Sequence, residues 1–460
     1  MSPAALNRRA RTIAVCCGAL PALALVGGWL VLRSDDLSKG GKSAVGAVAD
    51  LPALLGLTGL VVLVALGTRL AWVERLFGLD RLYRFHRRLA PWIVGLFLVH
   101  AALRTVRFSM GHGRAWSWSY LFYFRTGDPG LLIGHAALGL VLAAAVMALL
   151  RGTKRLPFRV WKSVHLLIYP GVLAGFAHAA IKGWQDVRLF PNVAAFVVLA
   201  ASALALYGLR AAYRARRSRR FGWTLDRLVP ETHDTTSLVL RRDEGPGPFL
   251  GRRPGQFSVI RARSGPGWGE PHPFTISCEP GSEELRFTIK AVGPFSSRVQ
   301  ALRPGTAFLC EGPYGVFSPD FEREKRIALI AGGVGITPFL SFLRHAARTN
   351  AAAEFVLIWG NKTGLDIIAR DELHGLARPP FLKVVHVLSQ EPAGPPPADG
   401  SAVVFETGRI GAATLKRHLV VPLDSYYLCG PSPMQAAVLG ILKAEFGVRR
   451  RDVRRELFFL

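Results

Sequence analysis

Four histidines fall within long apolar stretches of the chain, His86 and His100 on one, His165 and His178 on another. An ionisable side chain at membrane depth is costly and usually marks a function. A single histidine in such a place reads as a hydrogen-bonded packing residue, and His135 and His112 are read that way. The paired pattern points elsewhere. Fourteen residues of helix rise about 21 Å and return nearly to the same face, so one helix can offer an imidazole near each membrane surface. Two such helices running the same way bring His86 to His165 and His100 to His178. A flat macrocycle takes one neutral imidazole on each side and needs apolar walls, so the pattern predicts two stacked b-type haems. Zinc would require more ligands at each site. The interval from His165 to His178 leaves that pair roughly 140° apart on an ideal helix. A kink at Pro170 and Gly171 is expected to correct the phase.

A second group of residues with chemical potential lies in the other half. An apolar strand, Arg326 to Ile330, runs into AGGVGITPFLSFLRHA, and a further strand follows at Glu354 to Trp359. Strand, glycine turn and helix in that order predict an α/β doubly wound nucleotide-binding domain. Gly333 and Gly335 would let a pyrophosphate approach backbone N–H groups at a helix N-terminus, although Pro338 stands where a third glycine is usual. Upstream, short segments such as Ser237 to Leu240, Gln256 to Ile260 and Leu285 to Ile289 alternate with Gly/Pro clusters and predict a small antiparallel β-barrel. The five cysteines are odd in number and lack CxxC spacing, which argues against a zinc site and a disulfide framework.

The elements that must position these residues follow from composition. The chain has 460 residues, 50% hydrophobic and only 19% charged. Up to Arg220 it carries 29 Lys/Arg against 7 Asp/Glu; beyond, 29 against 24. Uncharged runs recur at Thr12 to Leu32, Leu51 to Gly67, Leu89 to Leu103, Leu131 to Leu150, Ser163 to Ile181 and Leu189 to Leu209. Most approach the ~20 residues that span a bilayer, which predicts a six-helix transmembrane bundle over residues 1–220. The first run reads as a retained anchor rather than a cleaved signal. A cytoplasmic N-terminus puts 20 Lys/Arg at inner and 9 at outer positions, in accord with the positive-inside rule. The run Arg214, Arg216, Arg217, Arg219 and Arg220 then reads as a juxtamembrane stop facing lipid headgroups, with no nucleic-acid partner. The β-barrel is expected over 221–320 and the nucleotide domain over 321–460, both cytosolic, on a multi-pass protein of the cell membrane.

In order along the second half stand His272-Pro-Phe-Thr-Ile-Ser277, IKAVGPFS, GPYG, GGVGITP, CGPSPM and a terminal Glu456-Leu-Phe458. That succession resembles the ferredoxin-NADP reductase superfamily, and with the paired histidines it resembles the NADPH oxidase and ferric reductase family over nearly the whole chain. The resemblance implies FAD on His272, Pro273, Phe274, Thr275 and Ser277, although soluble reductases usually have Arg in place of that histidine. It implies a pyrophosphate segment at Lys290, Gly293, Phe295 and Ser296, with Lys290 as its cation. Nicotinamide nucleotide falls to Gly333, Gly335, Thr337 and Pro338, and to Gly430 and Pro431. Cys429 would lie beside the hydride-transfer site with Glu456, and Phe458, or Phe459, would cover the flavin.

The resemblance further implies electron flow from cytosolic NAD(P)H through FAD and two haem b to an outside acceptor. NADPH is expected over NADH, because no carboxylate directly follows the second nucleotide-domain strand and Lys362 or Arg370 could meet a 2′-phosphate. Oxygen, giving superoxide, is slightly favoured over a ferric chelate. The outer loop from Ser109 to Gly130 is rich in aromatic residues, and no outer Asp/Glu cluster offers an iron site. Arg104, one turn beyond His100, is the candidate cation for the acceptor or a haem propionate. Two rivals stay open: a haem-free membrane-anchored flavin reductase, and an electron-transfer subunit that serves a periplasmic protein partner.

Overall fold

The computed structural model describes residues 20–67, 77–112, 128–152, 158–184, isolated positions between 201 and 212, and then 222–242, 247–265, 267–392, 401–420 and 422–456. The chain divides into two compact units near residue 214.

The first unit is helical: α1 (Leu20–Ser38), α2 (Gly41–Gly67), α3 (Leu79–His112), α4 (Pro129–Gly152), α5 (Phe158–His165) and α6 (Ile168–Trp184). Among the described residues four stretches, not six, are long and apolar enough to cross a membrane: Gly41–Val64, Leu82–Gly111, Pro129–Arg151 and Val160–Lys182. The first expected run falls partly on α1, which continues through Arg33, Asp35 and Asp36; the sixth lies outside the described residues save for isolated positions. Helices α2 and α3 approach closely because small residues face bulky ones. A Cβ built on Gly56 would stand 2.9 Å from the Phe97 ring, and one on Gly59 2.8 Å from Ile93.

The fifth expected span contains a break, but one turn earlier than Pro170-Gly171. It lies at Leu166 and Leu167, between α5 and α6. Pro170 has no N–H, so the Leu166 carbonyl loses its i+4 partner. The Tyr169 N–H takes that carbonyl instead at 3.1 Å, an i+3 bond that tightens the turn directly after His165.

The second unit holds two lobes. Strands β1 (Gly222–Thr232), β2 (Thr235–Arg241), β3 (Phe257–Ser264), β4 (Gly267–Trp268), β5 (His272–Thr275), β6 (Leu285–Lys290) and β7 (Ala307–Tyr314) form an antiparallel sheet in the order β4-β3-β7-β1-β2-β6, with β5 on β3. Among the described residues no ladder joins β6 back to β4 or β5, so the hydrogen-bonded sheet stays open where a closed barrel is expected. Its buried side is filled by Trp223, Leu238, Phe287 and Phe308.

The other lobe is a parallel sheet, β11-β10-β9-β8-β12-β13, built from β8 (Arg326–Gly332), β9 (Glu354–Asn361), β10 (Leu382–Leu388), β11 (Val403–Thr407), β12 (Ser425–Cys429) and β13 (Val453–Glu456). Helices α7 (Thr337–Arg348), α8 (Arg370–Leu376), α9 (Ala412–His418) and α10 (Ser432–Phe446) connect the strands. Separate apolar clusters cover the two faces, one around Leu329, Leu357 and Phe342, the other around Ile330, Ile358 and Val438. Both faces being covered explains the near-continuous apolar strand sequences. The lobes are joined by directed bonds: Arg344 Nη1 donates to Ser277 O at 2.7 Å and Ser341 Oγ to Cys278 O at 2.9 Å. Burial works against the Glu372 carboxylate, but the paired Arg344 guanidinium holds it below the usual range.

Candidate functional site

The helices bring the four histidines together as two pairs. His86 and His165 have ring centroids 6.4 Å apart, and so do His100 and His178, with planes inclined by 65° and 75°. A metal–imidazole bond is about 2 Å, so two such bonds and the halves of two rings come to about 6 Å. The spacing is that of two imidazoles facing one ion from opposite sides.

The imidazoles are oriented by backbone carbonyls. His100 Nδ1 lies 2.7 Å from Ala49 O and His178 Nδ1 2.6 Å from Gly130 O. A ring nitrogen donating to a carbonyl leaves the other with its lone pair free for a metal. His86 takes the Leu63 carbonyl, and His165 lies beside the Ala144 carbonyl, with its Nδ1 short of a well-formed hydrogen bond. Ala49 and Leu63 are fourteen residues apart on α2, and Gly130 and Ala144 fourteen apart on α4, matching the spacing of His86 and His100 on α3. Gly134 clears the approach on α4, since a Cβ there would stand 2.6 Å from His178 Nδ1. The donor set and its orientation thus fit haem ligation by both pairs.

Arg104 does not extend freely. Its guanidinium is paired with Asp50, next to the carbonyl that orients His100. Asp50 also accepts from Arg33 Nη2 at 2.6 Å, and Arg33 from its other arm meets Asp36 at 2.8 Å. Two guanidinium groups and two carboxylates therefore form a charge-balanced cluster. Sequence reasoning missed it because the second apolar run was begun at Leu51; α2 starts at Gly41 and puts Asp50 inside the helix. The aromatic outer loop lies outside the described residues over 113–127.

In the antiparallel lobe, β5 presents His272 and Phe274 beside Phe295. The His272 and Phe295 rings stack with centroids 4.1 Å apart and planes 11° apart, and Phe274 lies 6.0 Å from Phe295. Pro273 is exposed, while Thr275 and Ser277 are buried. This is an aromatic shelf suited to a flat heterocycle such as isoalloxazine. Burial lowers the His272 pKa, so the ring is neutral at neutral pH. Lys290 is paired with Asp234 at 3.0 Å, and Ser296 Oγ accepts from the Val292 and Gly293 N–H groups at 3.0 and 2.9 Å. Both expected phosphate ligands are thus engaged within the protein, Ser296 in shaping the Gly293 turn.

The two nucleotide motifs meet at the carboxyl ends of the parallel strands. Gly333 adopts φ +52°, and a Cβ there would meet nothing within 4 Å, leaving open space before the turn. Gly335 has none to spare: a Cβ would stand 2.6 Å from the carbonyl carbon of Cys429 and 2.8 Å from Gly430 Cα. Thr337 Oγ1 donates to Val334 O at 3.1 Å, and Pro338 falls in the first turn of α7, where a missing N–H costs nothing. That accounts for proline in place of the third glycine. Pro431 precedes α10 as its cap. Cys429 and Glu456 are register partners on β12 and β13; burial, then Glu456, raises the Cys429 thiol pKa. Gln435, fully buried and not foreseen from sequence, ties these ends together, donating from Nε2 to Gly430 O and Glu456 O at 2.8 Å each. Lys362 is exposed just past β9, and Arg370 lies over the Phe405 ring at 5.9 Å. Phe458 and Phe459 fall outside the described residues.

Comparison with known proteins agrees with this division. Residues 53–176, which include His86, His100 and His165, match the family described as ferric reductase like transmembrane component. Residues 329–439 match the oxidoreductase NAD-binding domain. The chain thus carries the fused ferric-reductase and NADPH-oxidase type of architecture: a membrane component joined to an oxidoreductase nucleotide module. Among individual relatives, it is 31% identical to the reductase component of propane 2-monooxygenase from Mycolicibacterium goodii, over 47% of this chain and 62% of that one. It is 28% identical to a flavohemoprotein of Bordetella pertussis, over 54% and 64%. The chain spans less than two thirds of these relatives' length. Among solved structures, the FAD/NAD-binding domain of nitric oxide dioxygenase from Vibrio cholerae aligns with 52% of this chain and 98% of its own, at 22% identity and a TM-score of 0.43.

Proposed function

We propose that this protein is a transmembrane oxidoreductase that takes electrons from cytosolic NADPH and delivers them to an acceptor on the opposite side of the cell membrane. The observation that carries the reading is the pair of imidazole pairs, each at 6.4 Å, in a chain that also holds a nucleotide crevice. FAD, when bound, turns two-electron hydride chemistry into one-electron steps, and two b-type haems give the electron places to reside within the bilayer. His86 and His165 hold the inner haem; His100 and His178 hold the outer one. His272, Phe274 and Phe295 bear the flavin, and Cys429 with Glu456 lines the place where the nicotinamide delivers hydride. Arg104 shares its charge with Asp50 and serves first to fix the helix that carries His100.

Oxygen is the preferred acceptor, since no outer acidic or histidine-rich segment offers an iron site; a ferric chelate is the alternative. The test is a reduced-minus-oxidised spectrum of purified protein with haem and FAD counted per chain, followed by NADPH turnover in vesicles. Two haems and one FAD, with cytochrome c reduction abolished by superoxide dismutase, are expected. Absence of b-type absorbance would replace this reading with a membrane-anchored flavin reductase. A rate near zero in air that rises many-fold with ferric chelate would change only the acceptor, and a rate that rises only with an added protein would make the chain an electron-transfer subunit.

A further inference from the structure

Gln435 is fully buried on α10, and its side-chain amide is bonded at both ends. Nε2 donates to Gly430 O and to Glu456 O at 2.8 Å each, and Oε1 accepts from Arg455 Nε at 3.0 Å. These partners fix which way the amide faces, because turning it over would set oxygen against two carbonyls and an amino group against a guanidinium. One side chain thereby joins the turn after β12 to the end of β13.

Both segments need holding. β13 is the edge strand of the parallel sheet and has four residues, the last of them Glu456. Short edge strands open first, from their ends. Arg454 Nη2 secures the strand earlier along, donating to the buried Glu324 at 2.7 Å, and the bond from Gln435 secures the Glu456 end. The Gly430 turn is confined as well: it adopts φ +147°, and a Cβ there would stand 2.8 Å from Gly332 N. Cys429 and Glu456, level with one another in the ladder, therefore share a frame whose cross-tie is Gln435.

We infer that Gln435 is a positioning residue for hydride transfer, holding the Cys429-Gly430 backbone and Glu456 at a fixed separation beside the nicotinamide. In that transfer a C–H bond of the reduced nicotinamide breaks, its proton and both electrons pass to the flavin as a new N–H bond, and the nicotinamide is left oxidised. Such a step is steep in distance and angle, and a misplacement of about 1 Å costs on the order of 100-fold. Gln435 acts on it only through the backbone it holds. This inference rests on the reading of the chain as an NAD(P)H oxidoreductase and gives a task to a residue just beyond the CGPSPM motif.

The experiment uses the full-length, FAD-loaded protein: stopped-flow flavin reduction by NADPH, ordinary and deuterated at the transferred position, and amide hydrogen exchange without nucleotide. Gln435→Glu keeps the length and the Arg455 contact but loses both N–H donors; Gln435→Met removes all three bonds without adding a charge. Each should lower the limiting rate of flavin reduction about tenfold or more, with the isotope effect retained and the half-saturating nucleotide concentration within about twofold of the parent. Exchange across Val453–Glu456 should quicken about tenfold while β8 and β9 keep their protection. FAD content and Tm show that each variant is folded, and either variant carries the test without the other. An unchanged limiting rate, unchanged exchange, or a loss confined to nucleotide affinity overturns the Gln435 assignment alone. Parent protein whose flavin accepts electrons from neither NADPH nor NADH overturns the underlying reading as well.

Discussion

In the membrane unit the groups able to grip a cofactor are side chains, and the groups that aim them are backbone carbonyls. In the nucleotide lobe the proposed roles are exchanged: backbone at Gly333, Gly335 and Gly430 would form the receiving surface, and side chains such as Gln435 and Trp359 hold that backbone in place. The difference follows from the medium. A helix in lipid has already satisfied its amides internally, so only side chains remain to act as ligands. A parallel sheet ends in turns whose N–H groups are unspent, and an anionic nucleotide can use them directly. Substitutions should therefore be most severe at side chains in one unit and at Cβ-less positions in the other.

That contrast can be broken in four places. The largest effect is expected from His178→Ala or His100→Ala, which should remove one haem and lower transfer to external acceptors by on the order of 100-fold or more, beyond what loss of a supporting contact causes. Flavin reduction by NADPH should persist; retention of both haems in the spectrum of His178→Ala would refute the pairing. Next comes Asp50→Ala, which takes the carboxylate from Arg104 and leaves Arg33 to Asp36, and should destabilise the membrane unit by about 3–5 kcal/mol, read as thermal loss of monodisperse protein. A change within error there would mean that the cluster is solvated. Third, Gly335→Ala forces a methyl into Cys429 and Gly430 and should cost about 1–3 kcal/mol with a raised KM for nucleotide; unchanged Tm and KM would show the two turns to be free of one another.

The effect that is smallest at neutral pH is a pH dependence confined to the nucleotide lobe, which emerges only in acid. His386 is buried against Trp359 and Phe405, with its Nε2 3.0 Å from His374 Nε2. Burial, then His374 and Arg370, pushes its pKa down to about 3. Because the folded pKa lies below the ordinary value of 6.5, the unfolded chain binds the extra proton first. Stability is then full above about 6.5 and falls as pH drops toward 3, with a slope approaching about 1.4 kcal/mol per unit. His386→Phe should flatten that slope in acid-denaturation curves; an unaltered slope would assign it to other groups.

How much of this was legible in the sequence differs by unit. Apolar runs and histidine spacing led to both pairs and to four of the six expected spans, because a period of 3.6 residues is written directly into the chain. The break was placed at Pro170-Gly171, whereas a proline disturbs the carbonyl four residues before it, and the turn falls at Leu166-Leu167. The Asp50 cluster was hidden because its partners lie on three helices. Motif order pointed to the nucleotide-binding lobe, which the family match over 329–439 bears out, yet Gln435 left no signal, being an ordinary polar residue whose meaning depends on burial. Lys290 was legible as a cation but its pairing was not, because its partner Asp234 lies in the turn before the neighbouring strand.

The carbonyls that orient the imidazoles have one more consequence. Every residue has a carbonyl, so no substitution at Ala49 or Leu63 can delete the hydrogen-bond acceptor itself. Drift in side-chain identity at those positions leaves ligand geometry intact as long as the helices keep their distance. A comparison of related chains would then show variable residues next to invariant histidines, and conservation alone would miss half of the ligand-holding apparatus. The vulnerable positions are the small ones on α4: a carbon added at Gly134 meets His178, and one at Gly130 crowds Ile181 and Lys182 on the same helix as His178.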